Sequence, residues 1–428
     1  MLPMDREKLK EIVINQHKRT RTDQEFFINR QRYPQLSELL ALPHAVVVMG
    51  VRRCGKSTLL NQFMQEHFNN QFFYLNFEDE RLLSFTVNDF EMLYEIFVEL
   101  FGERNVFYFD EIQNIDHWEM YVRRKQESGY KFFLTGSNAS LLSKEMGTKL
   151  TGRHVDLELF PFSFFEYLQF HQWDTQEFDF YDSTLRGRLY HGYIQYLQQG
   201  GFPEFIKYLN PEILIQTYED ILFRDIVNRY EIKDIKSLRE LALYLITNLA
   251  KPFSYTKLKN TLGFGSVNTV KNYIQYLEDS YLLFTINQFS YSLHEQAVNN
   301  KKVYVIDNGL ADIISFQFSR NKGPFLENLV FLELRRRYSD ICYYKTDHHQ
   351  EIDFAILQGK KIEKLIQVSD DISIEKTRKR EIGALVKALS ETKLDQGLLL
   401  TDHHQETLKI DNKTIIIQPV YQWLLSKW

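Results

Sequence analysis

Cysteine is almost missing from this 428-residue chain, which contains only Cys54 and Cys342. Because the two cysteines lie far apart in the sequence, they form no paired framework, and a disulfide-stapled secreted fold is excluded. We therefore expect a reduced, cytoplasmic protein. Glycine (18) and proline (9) are also scarce, whereas phenylalanine (34) and tyrosine (25) are plentiful. Bulky apolar side chains offset the entropy lost on ordering, so a mainly disordered chain is excluded as well.

An excess of positive charge and long hydrophobic runs are missing too. The 52 basic and 57 acidic residues give a formal charge of −5, so a nucleic-acid contact must come from a local patch. The stretch 39–51 lacks charged residues, but Pro43 and His44 interrupt it and it is too short to span a bilayer. Residues 1–8 lack the apolar run of a secretory signal. We expect no membrane segment.

The length of the chain predicts about two to four domains. Near residue 44 the sequence changes to short apolar runs that alternate with longer amphipathic stretches. Apolar, β-branched runs of this kind are typical of strands buried on both faces, and the alternation predicts a parallel α/β sheet covered by helices. The expected strands are 45–49, 72–77, 106–109 and 131–134, and the expected helices include 58–68 and 90–101.

The segment Gly50–Ser57 fits the phosphate-binding pattern G-x-x-x-x-G-K-[ST] without a mismatch. Glycines let the backbone N–H groups turn toward phosphate oxygens, and the helix that follows adds its positive end. We expect Lys56 to reach the β- and γ-phosphates and the Ser57 hydroxyl to hold Mg²⁺. The alternative is a basic surface turn. The expected nucleotide-binding residues are Gly50, Arg52, Arg53, Cys54, Gly55, Lys56, Ser57 and Thr58.

Two further strand ends carry polar side chains. The run 106–111 ends in Asp110, expected to bind Mg²⁺ directly or through water, and Glu111, expected to polarise the attacking water. Adjacent acids at a strand end also occur as solvated caps. The next strand leads to Ser137 and Asn138, which could orient the water beside the γ-phosphate or cap a helix.

These motifs make the chain resemble the AAA-type P-loop ATPases, and among them the prokaryotic ATP-binding proteins that carry a C-terminal domain of unknown function. The resemblance rests on Gly50–Ser57, Phe107–Gln113, Leu134–Asn138, the segments Thr151–Arg153 and Pro161–Phe164, and the motifs Tyr304–Leu310 and Leu326–Val330. It covers nearly the whole chain. It implies ATP and Mg²⁺ as cofactors, and the absence of an Asn-Lys-x-Asp run also favours ATP over GTP.

The resemblance also implies that Arg153 is the arginine of the ATPase module. Its guanidinium would contact the γ-phosphate in cis, or in trans across a subunit interface, where it would stabilise charge in the transition state. The alternative from the sequence is an ion pair with Asp156 or Glu158. Arg52 and Arg53 could contact phosphate or face solvent.

The C-terminal half is expected to hold a winged helix and a restriction-endonuclease-like domain. Asn268, Thr269, Lys271 and Asn272 lie at the start of the last of three helices between residues 237 and 290, where they could contact DNA or form a protein-contact surface. In the nuclease pattern, Glu327 and Asp353 fill the first two metal-binding places, but Gln367-Val368-Ser369 replaces Glu-x-Lys. We therefore expect a retained fold without cleavage.

We thus predict five parts: an N-terminal helical segment (1–43), a P-loop ATPase core (44–160), a helical lid (161–235), a winged-helix domain (236–315) and a nuclease-like domain (316–428). The predicted function is Mg²⁺-dependent ATP hydrolysis coupled to a DNA or protein partner, with an oligomer left open. The alternatives are a slow-hydrolysing ATP-bound switch and an ATP-dependent nuclease.

Overall fold

The computed structural model describes residues 4–22, 28–137, 152–174, 180–315 and 322–426. The chain divides into two compact units. The first comprises residues 1–160 together with 279–281, and the second comprises residues 161–278 and 282–428. Within the described residues, no helix is both long enough and apolar enough to cross a membrane.

The first unit is an α/β fold in which strands and helices alternate from residue 45 onward. In chain order its elements are α1 (Arg6–Thr22), α2 (Tyr33–Glu38), β1 (Ala45–Met49), α3 (Lys56–Phe68), β2 (Phe73–Asn76), α4 (Phe90–Phe101), β3 (Val106–Asp110), α5 (Trp118–Glu127), β4 (Lys131–Gly136) and β5 (His154–Glu158).

All the pairings in the five-stranded sheet of this unit are parallel, in the order β2-β3-β4-β1-β5. Every residue of β1 is buried, as a strand covered on both faces requires. The strand β4 lies between β1, which leads into the phosphate-binding segment, and β3, which ends in Asp110. Side chains at the carboxyl end of β4 therefore stand between the two halves of the expected nucleotide site.

Aromatic rings fill one side of this sheet, which explains the high phenylalanine content of the chain. Phe107 of β3 stacks on Phe132 of β4 with ring centroids 4.8 Å apart, and Phe73 of β2 stacks on Phe97 of α4 at the same distance. All four rings are completely buried. Burial on this scale supplies most of the driving force that holds α4 against the sheet.

The second unit begins with helices and continues with two sheets. Its helices are α6 (Phe164–Phe170), α7 (Ser183–Gln199), α8 (Pro203–Tyr208), α9 (Pro211–Asp220), a π-helical segment (Ile221–Val227), α10 (Ile235–Thr247), α11 (Tyr255–Leu262), α12 (Val267–Asp279), α13 (Leu293–Val298), α14 (Asn308–Ile314), α15 (Lys322–Arg337), α16 (Glu375–Thr392) and α17 (Val420–Leu425).

The first sheet of this unit has three antiparallel strands in the order β6 (Pro252–Phe253), β8 (Lys301–Val305), β7 (Leu283–Asn287). The second is a mixed sheet of six strands in the order β13-β14-β12-β11-β10-β9. Its strands are β9 (Ile341–Lys345), β10 (Glu351–Gln358), β11 (Lys361–Ser369), β12 (Gln396–Thr401), β13 (Glu406–Ile410) and β14 (Lys413–Pro419).

A buried polar network ties the helical part of this unit to the start of α14. The Asp307 carboxylate accepts hydrogen bonds from the backbone N–H groups of Gly201 (2.6 Å) and Leu310 (2.9 Å). A Cβ on Gly201 would lie 2.2 Å from the carbonyl oxygen of Phe162, so only glycine allows this approach. Asn328 bonds both backbone groups of Val305, with its amide oxygen 2.9 Å from the N–H and its amide nitrogen 3.0 Å from the carbonyl oxygen. The network explains why these polar residues lie in otherwise apolar surroundings.

The helices and strands expected from the sequence agree with the structure apart from their ends. The helix expected at 58–68 begins two residues earlier, at Lys56, because Gly55 provides the turn into it. The strand expected at 72–77 lies at Phe73–Asn76. Strand β8 has no counterpart among the expected strands, because Lys301 and Lys302 interrupt the apolar pattern at its start.

Candidate functional site

The phosphate-binding segment leaves β1 at Gly50 and enters α3 at Lys56. A Cβ at Gly50 would lie 2.0 Å from the carbonyl oxygen of Leu159, so this position has room for glycine alone. Gly55 has φ = 100°, a conformation that favours glycine, and it precedes the first turn of α3. The backbone therefore curls into the concave form that phosphate binding requires, with the positive end of α3 behind it.

Lys56 lies inside this loop, with only 4% of its side chain exposed. Its ammonium group donates hydrogen bonds to the carbonyl oxygens of Gly50 (3.0 Å) and Val51 (3.2 Å) and lies 3.5 Å from Glu111 Oε1. A buried cation with these partners can exchange the loop carbonyls for phosphate oxygens with little movement of its stem. The contact of Lys56 with phosphate stays a prediction.

Ser57 and Asp110 meet at the carboxyl end of the sheet. The Ser57 hydroxyl donates a 3.0 Å hydrogen bond to Asp110 Oδ1, and the Thr135 hydroxyl donates to the same oxygen. A hydroxyl beside a carboxylate is an oxygen donor set that suits Mg²⁺. Ser57 and Asp110 are thus the residues that would hold this ion.

Thr135 links the two acidic residues. Besides donating to Asp110, its hydroxyl oxygen accepts a 2.8 Å hydrogen bond from the backbone N–H of Glu111. Thr135 is completely buried and belongs to β4, the strand between β1 and β3. It positions both acids from the segment Leu134–Asn138, in which only Ser137 and Asn138 had expected roles.

Glu111 has an unusual backbone, with φ = 51° and ψ = 44°. A non-glycine residue in this left-handed region carries strain, which functional sites often contain. The side-chain amide of Gln113 donates hydrogen bonds to Glu111 Oε2 and, at 3.4 Å, to the Ser137 hydroxyl. Gln113 thus connects Ser137, which is expected to orient the water, to Glu111. Gln113 belongs to the segment Phe107–Gln113 that carries the resemblance, but it had no expected role of its own.

The surroundings of Asp110 and Glu111 shift their pKa values in opposite directions. Burial, reinforced by the charge of Glu111, raises the pKa of Asp110 to about 6. Burial acts upward on the pKa of Glu111 too, but the charges of Lys56 and Arg52 and hydrogen bonds from Gln113 and Ser137 together lower it below its usual value. Glu111 is therefore ionised at neutral pH, as a residue that accepts a proton from water must be.

The other residues of the segment have different surroundings. Arg52 forms an ion pair with Glu78, and Arg53 is exposed with φ = 62°. The Cys54 thiol is completely buried and donates to the carbonyl oxygen of Leu159 at 3.3 Å, so this side chain packs behind the loop. Thr58 is exposed in the first turn of α3.

Arg30 supports the loop from the N-terminal part of the chain. Its guanidinium is buried and donates to the carbonyl oxygens of Cys54 (3.0 Å) and Phe160 (2.6 Å). It thereby connects the loop to the chain that follows β5. Nothing in its local sequence marks this role, because both partners are backbone groups distant along the chain.

Arg153 lies at the amino end of the parallel strands, whereas the loop lies at their carboxyl end. This position contradicts the expectation that Arg153 contacts the γ-phosphate in cis. Its carbonyl oxygen accepts from the N–H of Ala45 at the start of β1, whereas the loop follows the other end of this strand, about 16 Å away. Its side chain pairs with Glu127 at 2.6 Å, not with the expected Asp156 or Glu158. Asn138 lies outside the described residues.

A second ionic cluster occurs in the other unit, around Lys302 of β8. Its ammonium group lies 2.8 Å from Glu327, 2.8 Å from Glu351 and 2.9 Å from Asp353. Burial acts to lower the pKa of Lys302, but the surrounding carboxylates outweigh it and hold this pKa well above its usual value. The cluster brings together Glu327 and Asp353, as the nuclease pattern predicts, and adds Lys302 and Glu351, which the pattern does not contain.

Three family models match consecutive parts of the chain. An AAA domain matches residues 43–168, a Domain of unknown function (DUF8612) matches residues 190–319, and a Domain of unknown function (DUF4143) matches residues 322–423. The first match contains the loop and the residues gathered around it.

Two relatives match almost the full length of the chain. The Uncharacterized protein MJ1544 of Methanocaldococcus jannaschii is 36% identical over 409 residues, which cover 91% of this chain and 90% of the relative. The chain belongs to the same family. An Uncharacterized protein of Haemophilus influenzae is 32% identical and covers 93% of this chain and 99% of its own length. The family is thus one with an AAA-type P-loop domain, and ATP binding is supported by family and fold.

Two solved structures show only distant similarity to this chain. AMPPCP-bound DnaA from Aquifex aeolicus is 14% identical with a TM-score of 0.28, and the match covers 59% of this chain and 89% of that chain. Drosophila ORC bound to AT-rich DNA and Cdc6 is 10% identical with a TM-score of 0.21, and the match covers 72% of this chain and 93% of that chain. The fold assignment therefore rests on the strand order and the family match.

Proposed function

We propose that this protein is a Mg²⁺-dependent ATPase whose active site is the loop Gly50–Ser57 together with Asp110 and Glu111. The observation that carries the proposal is the convergence of four side chains at one end of the sheet. Ser57 bonds Asp110 at 3.0 Å, and Lys56 lies 3.5 Å from Glu111. These groups supply a metal-binding pair, a phosphate-binding cation and a base for water.

The residues divide the work by charge. Lys56 binds and neutralises the β- and γ-phosphate oxygens, and Ser57 and Asp110 hold Mg²⁺. When bound, this ion neutralises charge that develops on the phosphate. Glu111 is kept ionised by its surroundings. It orients the attacking water and accepts a proton from it as general base. Thr135 and Gln113 fix the orientation of the two acids through hydrogen bonds.

The decisive experiment is phosphate release from Mg-ATP by the full chain, with and without duplex DNA. We expect turnover in the wild type and its loss in Lys56→Ala, because the phosphate charge then has no buried counter-ion. Lys125→Ala, on α5 and outside the site, is the matched lysine control. If the wild type binds ATP but releases no phosphate under either condition, the slow-hydrolysing switch is the better description.

We also propose that the part of the chain from 236 to 315 is a winged-helix domain that contacts DNA. The proposal is supported by three consecutive helices, α10 to α12, and by the antiparallel sheet of β6, β8 and β7. Asn268, Lys271 and Asn272 are exposed near the start of α12. Stimulation of ATP turnover by duplex DNA supports this contact, and its absence favours a protein partner.

We propose further that Arg153 acts in trans, on nucleotide bound to a neighbouring copy of the chain. Arg153 lies at the amino end of the strands, opposite the loop, and 42% of its side chain is exposed. Both features support this role. Turnover per chain should then rise with protein concentration, and Arg153→Ala should abolish the rise. Arg123→Ala is the control, because Arg123 pairs with the same Glu127 from α5. Concentration-independent turnover in the wild type contradicts the role.

A further inference from the structure

The cluster around Lys302 consists of one ammonium group surrounded by three carboxylates. Lys302 is 1% exposed, and its ammonium group contacts one oxygen from each of Glu327, Glu351 and Asp353 at 2.8–2.9 Å. The lysine comes from β8 of the three-stranded sheet, whereas the carboxylates come from α15 and from β10 of the mixed sheet. The ammonium group donates hydrogen bonds to Glu327 and Asp353, and Glu351 adds an ion pair at 2.8 Å.

Further hydrogen bonds hold the side chains of the cluster in place. Tyr304, two residues after Lys302, donates a 2.7 Å hydrogen bond to Glu327 Oε1. Asp353 Oδ2 accepts from the backbone N–H of Val368 at 3.0 Å. Gln367, which replaces the third acid of a nuclease metal site, accepts from the N–H of Asp353 and donates to Glu381 at 2.8 Å.

These residues do not fit the divalent metal of a nuclease. A metal ion needs carboxylate oxygens that point toward an open position, and here the ammonium group fills that position. Within the described part of the chain, no group of three or more His, Cys, Asp or Glu side chains is arranged to hold a metal. Lysine and a divalent ion at the same point would also repel each other strongly in a buried setting.

We propose that Lys302 is a built-in substitute for the metal ion, so that the C-terminal domain holds its carboxylates together without a metal and does not cleave DNA through them. Removal of the lysine should convert the cluster into a divalent cation site with Glu327, Glu351 and Asp353 as ligands. Oxygens now 2.8–2.9 Å from the nitrogen need to move inward by only about 0.2–0.6 Å to reach Ca²⁺ at its usual 2.3–2.6 Å.

The test is isothermal titration of Ca²⁺ into the full chain without nucleotide. We expect Lys302→Ala to bind one Ca²⁺ per chain about tenfold or more tightly than the wild type, because Glu327, Glu351 and Asp353 then lose the ammonium group that they share. The double variant Lys302→Ala/Asp353→Asn should lose this site. Ca²⁺ should also raise the Tm of Lys302→Ala and leave the Tm of the wild type unchanged.

Lys301→Ala is the matched control, since Lys301 is the preceding residue on β8 and bonds Asn287 outside the cluster. It should behave like the wild type. If Lys302→Ala does not fold, Lys302→Met removes the charge but keeps the aliphatic stem, and it should gain the same site. The proposal is overturned if folded lysine variants gain no Ca²⁺ site, or if the wild type binds Ca²⁺ in a way that Asp353→Asn abolishes.

Discussion

Replacement of Glu111 by glutamine should lower the turnover of ATP by about 10²- to 10⁴-fold while ATP binding stays within about threefold of the wild type. The amide has almost the shape of the carboxylate, but it cannot accept a proton from water. Lys56 keeps its bonds to Gly50 and Val51, so the phosphate-binding loop retains its form. The measurements are phosphate release and equilibrium binding of Mg-ATP.

Glu103→Gln provides the control for this experiment, because Glu103 is exposed and precedes β3, the strand that ends at the site. It should leave both turnover and binding unchanged. Turnover by Glu111→Gln within a few-fold of the wild type would show that another group activates the water. A loss of ATP binding instead would assign Glu111 a structural role, as the buried partner of Lys56.

The second large effect is expected at Gly50. In Gly50→Ala the new Cβ would lie 2.0 Å from the carbonyl oxygen of Leu159 and 3.2 Å from the Cys54 sulfur. Because backbone blocks the space, the loop must move away from β5. We expect a loss of about 3 kcal/mol in stability, a fall in Tm of about 6–12 °C, and ATP binding weakened beyond detection.

Gly102→Ala is a control that distinguishes the steric clash of an added Cβ from the backbone strain of a positive φ. Gly102 also has positive φ (74°), but no atom lies within 4 Å of where its Cβ would be. This change should cost only about 1 kcal/mol and leave ATP binding intact. Thermal unfolding and titration with Mg-ATP measure both effects. Wild-type Tm and ATP affinity in Gly50→Ala would contradict the close packing of the loop.

The sequence alone was sufficient to predict the parallel α/β core and to select Gly50–Ser57, Asp110 and Glu111 as the proposed site. Both predictions depend on contiguous patterns: short apolar runs for buried strands, and a glycine-rich loop between a strand and a helix. The carboxyl ends of parallel strands meet at one edge of a sheet, so residues at these ends can be placed together without coordinates.

The tertiary structure alone revealed how the site is held in place. Thr135 and Arg30 contact groups far away in the sequence, and part of each contact is to backbone atoms, which carry no sequence signal. The parallel pairing of β5 with β1 places Arg153 at the amino end of these strands, opposite the loop, although its position in the chain is compatible with a cis contact.

The cluster around Lys302 also depends on information that only the tertiary structure provides. The resemblance to nucleases predicts Glu327 and Asp353 as members of an incomplete metal site, but the sequence cannot show what balances their charge. Only the folded chain brings β8 beside them and places an ammonium group among the carboxylates. Local patterns determined which elements form and which motifs they carry. The packing of distant strands decided which charges meet, because electrostatic pairing depends on distance in space and not along the chain.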